Sequence, residues 1–316
     1  MTAHKATFNH SVVIPVYNGA ATVGRVVDEV FAVLEPLGST EVVLVNDGSA
    51  DSSADVCRSL AQSRSGKVVF VNLSRNFGEH NAVLAGISHA RGARIAIIDD
   101  DGQNPPSEIP VLLAEMERGG FDVVYGRYEQ KQHETWRNLG SRFNDAVATK
   151  LIGKPPNLYL CSFKVINRFV ADHLRSHPTP YPYIDSMIFQ CTQNIGQALV
   201  KHAQRVEGRS NYNLRRLVLL WSNMLTTSSI LPLRLATWFG LGFACFGFLS
   251  ALAILVEAIF FPSGERGWAS LAMAVVVFSG IQLFALGIVG EYVGRIFQAG
   301  HRRPFVVREV VGDSSS

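Results

Sequence analysis

Cysteine is scarce in this chain: Cys57, Cys161, Cys191 and Cys245 stand apart, with no CxxC pair and no histidine cluster at metal-ligand spacing. That excludes a disulfide scaffold and a zinc ribbon, and predicts four reduced cysteines. A secretory signal is missing as well, because Met1 to His10 is polar, so the first domain is expected to stay in the cytoplasm. Neither phosphate-loop nor dinucleotide fingerprints occur: there is no GxxxxGK[ST], and the first predicted strand runs into Pro15-Val16-Tyr17-Asn18-Gly19-Ala20 instead of GxGxxG. A large charge of one sign is lacking too, since 29 Lys and Arg against 26 Asp and Glu leave a net charge of +3. No nucleic-acid partner follows from it. There is no internal repeat, and no low-complexity tract beyond Ser314 to Ser316.

Apolar residues, by contrast, are abundant at 47%, and they are unevenly placed. Leu235 to Phe261 carries no charge apart from Glu257, and Trp268 to Val289 has only Gln282 as a strongly polar residue. At 1.5 Å per residue each run can cross a hydrocarbon core about 30 Å thick. The short connector Pro262 to Gly267 makes them an antiparallel hairpin, the competing reading being a buried helical hairpin in a soluble protein. Arg215, Arg216 and Arg234 precede the first run and Arg295, Arg302 and Arg303 follow the second, against Arg266 alone in the connector. That asymmetry puts both ends in the cytoplasm and the chain, as a multi-pass protein, in the inner membrane. Leu214 to Ile230 mixes Arg215 and Arg216 with Leu217, Leu220, Trp221 and Met224, a pattern for a helix lying in the lipid interface or packing on the globular domain. The predicted organisation is a cytoplasmic domain over 1–213, juxtamembrane helices over 214–232, two spans within 233–291 and a cytoplasmic tail over 292–316.

Within the first domain, Ser11–Val16, Glu41–Val45, Lys67–Leu73 and Arg94–Ile98 are short β-branched runs that read as buried strands. Ala21–Leu34, Ser52–Ser63 and Glu79–Ala90 have helical spacing, with Asp51 or Ser52 as a fitting N-cap. Alternation of strand and helix predicts an α/β fold with a mostly parallel, doubly wound sheet. Ligands of such sheets bind at the carboxyl ends of the strands, here Tyr17-Asn18, Asn46 to Ser49, Ser74 to Asn76, and Asp99 to Gln103. In the last of these, Asp99, Asp100 and Asp101 are consecutive, and their mutual repulsion is costly unless a cation or other donors offset it. A hard divalent ion bridging carboxylate to diphosphate would do so; a capped or solvated acidic loop is the alternative.

The ordered segments SVVIPVYNGAATV, VLVNDGSADSS, NLSRNFGEHNAVLAGISHARG, IIDDDGQNPPSEIP and VVYGRYEQ resemble glycosyltransferase family 2. SFKVINR, RVEGRSNY and GIVGEYVGRIF are similar to its polyprenyl-phosphate branch, which includes dolichyl-phosphate mannose synthases and the undecaprenyl-phosphate aminoarabinose and glucose transferases. The resemblance covers about Ser11 to Val307. It implies a GT-A catalytic domain that binds a nucleotide sugar, UDP-linked in the bacterial members, with Mg²⁺ or Mn²⁺, and transfers the sugar with inversion to polyprenyl phosphate at a lipid bilayer.

By position, the resemblance implies that Pro15, Tyr17, Asn18, Val45 and Asp47 surround the nucleoside. Asp99, Asp100, Asp101 and Gln103 match the acidic motif, with Asp99, Asp101 and Gln103 as metal ligands. Arg127 matches an arginine facing the diphosphate, Arg137 and Ser141 match holders of the acceptor phosphate, and Arg205 matches an arginine at the mouth of the site. Surface ion pairs are the alternative for the three arginines. Some relatives place Asp where Ser162 stands, so a carboxylate base is absent there; Asp185 is a substitute or a helix N-cap. Where the mannose synthases carry lysine, this chain has Asn211. The missing polymer-channel spans and QxxRW motif disfavour a polysaccharide synthase, and intact Asp101, Gln103 and Arg127 disfavour a non-catalytic membrane scaffold. A homo-oligomer is compatible with all of this.

Overall fold

A computed structural model describes residues 6–128, 154–155, 158–177, 182–201, 267–301 and 305–313, with isolated positions between 238 and 260. The chain divides into two compact units, one of Met1–Asn211 with Arg302–Ser316, the other Tyr212–His301. In chain order the first unit holds β1 (Phe8–Val16), α1 (Val23–Leu34), β2 (Thr40–Asn46), α2 (Ser53–Ser63), β3 (Val68–Leu73), α3 (Glu79–His89) and β4 (Gly92–Ile97). These are followed by α4 (Ile109–Gly119), β5 (Val123–Tyr128), β6 (Lys164–Asn167), α5 (Arg168–Ser176), α6 (Ile184–Cys191) and β7 (Ile195–Val200). The second unit holds α7 (Trp268–His301), and β8 (Val307–Val311) returns to the first.

All eight strands form one sheet in the order β7-β5-β6-β4-β1-β2-β3-β8. Parallel pairing joins β1 to β2 and β4, β2 to β3, and β5 to β7. Antiparallel pairing joins β3 to β8, β4 to β6, and β5 to β6. The expected parallel α/β core is therefore present in the first half, and the second half makes the sheet mixed.

Period-two alternation divides the buried strand residues between two layers. Val12, Ile14, Val16, Val42, Leu44, Phe70 and Ala96 join the apolar side chains of α1 and α4 in one core. Val13 and Val45 point to the other face, under α3. Gly86 makes that layer thin: a Cβ there would lie 2.4 Å from Val13 Cγ1 and 3.1 Å from Val45 Cγ2. Two arginines of α5 close the far end of α3, Arg168 donating to Ala90 O and Arg175 to Ile87 O and Ala90 O. Ser52 is the N-cap of α2 but makes no side-chain cap; Asp51 Oδ1 instead accepts Ser53 N at 3.0 Å.

Part of the stretch expected as a tail is structural. β8 covers the β3 edge, and Arg58 grips Glu309 with two parallel hydrogen bonds of 3.1 and 2.9 Å. Such a covered edge removes a surface for pairing with other chains.

In the second unit α7 is one continuous helix of 34 residues. Over the described residues alone, no helix is long and apolar enough to cross a membrane. The first apolar run, Leu235 to Phe261, lies almost entirely outside the described residues, as does the juxtamembrane stretch 214–230.

Candidate active site

β1 sits between β2 and β4, and the chain leaves β1 toward β2 but returns on the other side as β4. The two crossovers part there, which opens a crevice at the carboxyl ends of β1 and β4. Tyr17 and Asn18 enter it from β1, and Asp99 to Gln103 from β4.

The crevice wall is a set of interlocked turns. Asn18 is the only non-glycine residue with positive φ among those described, at 56°. Its left-handed turn is held on both sides, Asn18 N donating to Ser49 Oγ (3.0 Å) and Asn18 Oδ1 accepting from Ala50 N (2.9 Å). Gly19 N donates to Ser53 Oγ (2.9 Å) and Tyr17 N to Asp100 Oδ2 (3.2 Å). Gly19 has to be glycine for that second contact, since a Cβ would fall 2.0 Å from Asp100 Oδ2.

Of the residues expected around the nucleoside, Tyr17 is 54% exposed and Asn18 is exposed, both on the open side. The remaining three are interior. Pro15 and Val45 are buried in the sheet, and Val45 packs toward Gly86. Asp47 is buried with both oxygens engaged, accepting Phe77 N at 2.7 Å and Gly78 N at 2.9 Å. Burial raises its pKa, and those two N–H groups oppose the rise. It ties the loop before α3 to the end of β2.

The acidic loop is asymmetric. Asp99 Oδ2 accepts from Ser162 Oγ (2.7 Å) and Asn104 Nδ2 (2.9 Å). Asn104 Oδ1 in turn accepts from the Tyr128 hydroxyl, which accepts from Cys161 Sγ at 2.9 Å. Asp101 Oδ1 accepts Gln103 N at 3.0 Å. Burial pushes Asp99 upward, and it pushes Asp100 up to about 7, with the Asp101 and Asp99 charges adding to the rise. Glu79, at the start of α3, is also pushed up to about 7, first by desolvation and then by Asp99. Glu79 itself is exposed at the surface, so the neighbouring carboxylates are the part of that shift the geometry supports. Arg25 enters the same loop, its Nη2 lying 3.0 Å from where a Cβ of Gly102 would be. Among the described residues no group of three or more His, Cys, Asp or Glu side chains is arranged to hold a metal ion. Gln103 follows Asp101 with its backbone turned onto that carboxylate, and Gly102 makes the turn at φ 73°.

Beneath the loop, Lys164 forms an ion pair with Asp185, and Tyr125 donates its hydroxyl to the same Asp185 oxygen at 2.8 Å. All three residues are buried. Asp185 is thus neither an N-cap, a place taken by Tyr183, nor a carboxylate standing free as a base. Arg127 lies in β5, paired in register with Leu199 and exposed. Arg137, Ser141 and Arg205 lie outside the described residues. Arg25, Glu79, Asn104 and Tyr128 are additions to the site. Asn104, five residues from Asp99, and Tyr128, next to Arg127, stood close enough in sequence to be found there; Arg25 and Glu79 did not.

The model of the family described as Glycosyl transferase family 2 matches residues 11–175. An Enterobacter sp. (strain 638) protein named undecaprenyl-phosphate 4-deoxy-4-formamido-L-arabinose transferase is 35% identical, the match covering 100% of this chain and 97% of that one. Similarly named proteins of Pseudomonas aeruginosa (strain LESB58) and Photorhabdus laumondii are 35% and 32% identical over 95% and 97% of this chain, and 90% and 95% of their own. Among solved structures, glucosyl-3-phosphoglycerate synthase from Mycobacterium tuberculosis, in complex with Mn²⁺, UDP and phosphoglyceric acid, shares the fold. It aligns with a TM-score of 0.52 at 19% identity, over 70% of this chain and 77% of that one. With this match and these relatives, and a sheet that shares the GT-A type of fold, the chain belongs to glycosyl transferase family 2.

Proposed function

We propose that this enzyme transfers a sugar from a nucleotide sugar, with UDP as the favoured nucleotide, to undecaprenyl phosphate, and so produces a polyprenyl-monophosphate sugar for cell-envelope glycans. The observation that carries the reading is the acidic loop Asp99–Gln103 placed at the crevice between β1 and β4, in a chain matched end to end by relatives named for this transfer. The nucleoside would sit on the Tyr17–Asn18 side and the diphosphate near Asp101 and Arg127.

A divalent ion, Mg²⁺ or Mn²⁺, fits the donor chemistry. Burial first, and the neighbouring aspartates after it, push both Asp100 and Asp99 upward, so a cation would be welcome there, and hard oxygen donors suit such an ion. Asp101, Asp99 and Gln103 would hold it; when bound, the ion offsets charge on the departing diphosphate. The protein's own part is to orient the nucleotide and exclude water. The acceptor phosphate oxygen is largely ionised at neutral pH, the second pKa of a phosphate monoester lying near 6, so it needs no strong base. Its single displacement at the anomeric carbon inverts configuration.

Lipid contact is supported by α7, whose Leu271, Val275, Leu283, Phe284, Leu286, Val289, Val293 and Ile296 are exposed. Exposed apolar side chains in that number call for a cover. A two-helix anchor in the inner membrane, with the catalytic domain on the cytoplasmic side, supplies it.

The test is a panel of UDP- and GDP-linked sugars offered with undecaprenyl phosphate to the purified chain in detergent, with Mg²⁺, Mn²⁺ or EDTA. One donor should give a metal-dependent lipid-linked product, and Asp101→Asn should abolish it without changing the melting temperature. Absence of product from every donor, or full turnover of Asp101→Asn in saturating metal, would overturn the reading.

A further inference from the structure

β6 runs antiparallel to β4 with Lys164 opposite Ile97. Continuing that register outward by two residues on each strand brings Ser162 opposite Asp99, and the 2.7 Å hydrogen bond from Ser162 Oγ to Asp99 Oδ2 is this cross-strand contact. Residues opposed in an antiparallel pair have Cβ atoms about 4.5–5.5 Å apart, which suits a hydroxyl and a carboxylate and disfavours two like charges. The same carboxylate oxygen takes a second donor, Asn104 Nδ2, at 2.9 Å. The orientation of that amide is fixed, because its carbonyl oxygen accepts from Tyr128 on β5. Cys161 donates to the Tyr128 hydroxyl at 2.9 Å. Ser162, from the segment before β6, and Asn104, from the acidic loop and held in turn by Tyr128 of β5, thus both donate to Oδ2 of Asp99, fixing the plane in which its carboxylate lies.

We propose that Ser162 is a positioning residue for the donor site: it orients Asp99 through this hydrogen bond, with Asn104 and Tyr128 as its partners, and takes no proton from the acceptor. The inference rests on the proposed nucleotide-sugar reading for what Asp99 serves, and on the hydrogen bonds for how Asp99 is held. A carboxylate in place of Ser162 would face Asp99 across the two strands, remove the donor and add a repelling charge. Threonine would keep the hydroxyl.

Two measurements on the full chain in detergent separate the two foundations. The first is hydrogen–deuterium exchange of the amides of residues 98–104 without ligand, and the second is calorimetric binding of UDP with Mn²⁺. Ser162→Ala and Ser162→Asp should raise exchange in that loop by about ten-fold, a lost hydrogen bond to a charged group, while exchange in β1 and β2 stays unchanged and Ser162→Thr restores protection. UDP with Mn²⁺ should bind about ten-fold more weakly to Ser162→Ala, more weakly still to Ser162→Asp, and within about two-fold of wild type to Ser162→Thr. Unchanged exchange of 98–104 in Ser162→Ala overturns the proposal whatever the nucleotide does. Turnover by Ser162→Asp equal to or above wild type also overturns it, by making this position a site for a base. If the wild-type chain binds no UDP with Mn²⁺ while the exchange pattern appears as stated, the donor reading fails and the positioning contact stands.

Discussion

Asp185 separates two accounts of the site by a single substitution. If it were a general base, Asp185→Asn would remove turnover and leave stability alone. The structure argues the reverse. The Lys164 and Asp185 side chains retain only 5% and 9% of their exposure, and the Tyr125 ring lies 4.8 Å from Lys164 Nζ. An ammonium in that place has no water to turn to when its carboxylate becomes an amide. Breaking one partner of a buried pair costs about 3–5 kcal/mol, whereas replacing both with apolar groups of similar volume is near neutral or stabilising. For a unit of this size each kcal/mol moves the melting temperature by roughly 2–4 °C, so Asp185→Asn should lower it by roughly 6–20 °C. Lys164→Met should do comparable damage by leaving Asp185 unpaired, and the pair of changes Lys164→Met with Asp185→Leu should recover most of the loss.

The assay is scanning calorimetry of the detergent-solubilised chain, of Asp185→Asn, and of Lys164→Met, Asp185→Leu and their combination, the last three read with wild type as a double-mutant cycle. Turnover per folded molecule, measured well below the lowered melting point, is the companion. It should stay within several-fold of wild type for Asp185→Asn. An unchanged melting temperature combined with a turnover loss above about a hundred-fold, some 2.7 kcal/mol of activation free energy, would refute the ion-pair account and restore Asp185 as a base.

Asp100 holds its proton up to about 7 in the folded chain against an ordinary value of 3.8, so between those limits the folded state binds the extra proton and this residue's contribution to stability falls as pH rises. The metal-free wild type should therefore lose more stability than Asp100→Asn between about pH 5 and pH 8, a difference read by thermal melts of both proteins. Gly19→Ala puts a methyl group 2.0 Å from Asp100 Oδ2, and an overpacking cost of about 1–3 kcal/mol falling on the site should weaken UDP binding by roughly five-fold to a hundred-fold. Gly24→Ala, whose added carbon would meet nothing within 4 Å, is the control and should leave binding unchanged in the same titration. Glu309→Ala frees Arg58 from its two hydrogen bonds. Because the pair is about one-third exposed it should cost about 1 kcal/mol or less, yet speed amide exchange in Val307–Val311 and at Ser74, whose N–H is held by Val306 O at 2.9 Å.

The first half of the fold was legible because its signals are local. Four β-branched runs and three helical periods lie in strict alternation, and every strand predicted there is present within a few residues of its expected ends. Strand ends rich in polar residues pointed to the crevice for the same reason. What alternation could not supply was direction inward or outward at the carboxyl ends. Pro15, Val45 and Asp47 match family positions by spacing, but two fall on the face covered by α3 and the third is drawn under the loop before it. β8 was invisible because its partner, β3, lies more than 230 residues earlier in the chain, and short apolar runs after a long helix carry no mark of where they dock.

A run of three aspartates reads, in sequence, as three equal charges in search of one cation. Folding makes them unequal before any cation is considered. Asp99 is met by the Ser162 hydroxyl from the segment before β6 and by the Asn104 amide of its own loop, Asp100 by the Tyr17 N–H and the missing side chain of Gly19, and Asp101 by the turn at Gly102. Each set of donors comes from a different element, so the loop's shape depends on the β4–β6 register, on the β1 turn and on its own glycine independently. Substitutions that disturb one set of donors should leave the hydrogen bonds of the other two carboxylates in place, while the three charges stay coupled through space, so their effects on binding should not simply add. The acidic motif is local in sequence, but the inequality that lets its members take different tasks is a property of the sheet.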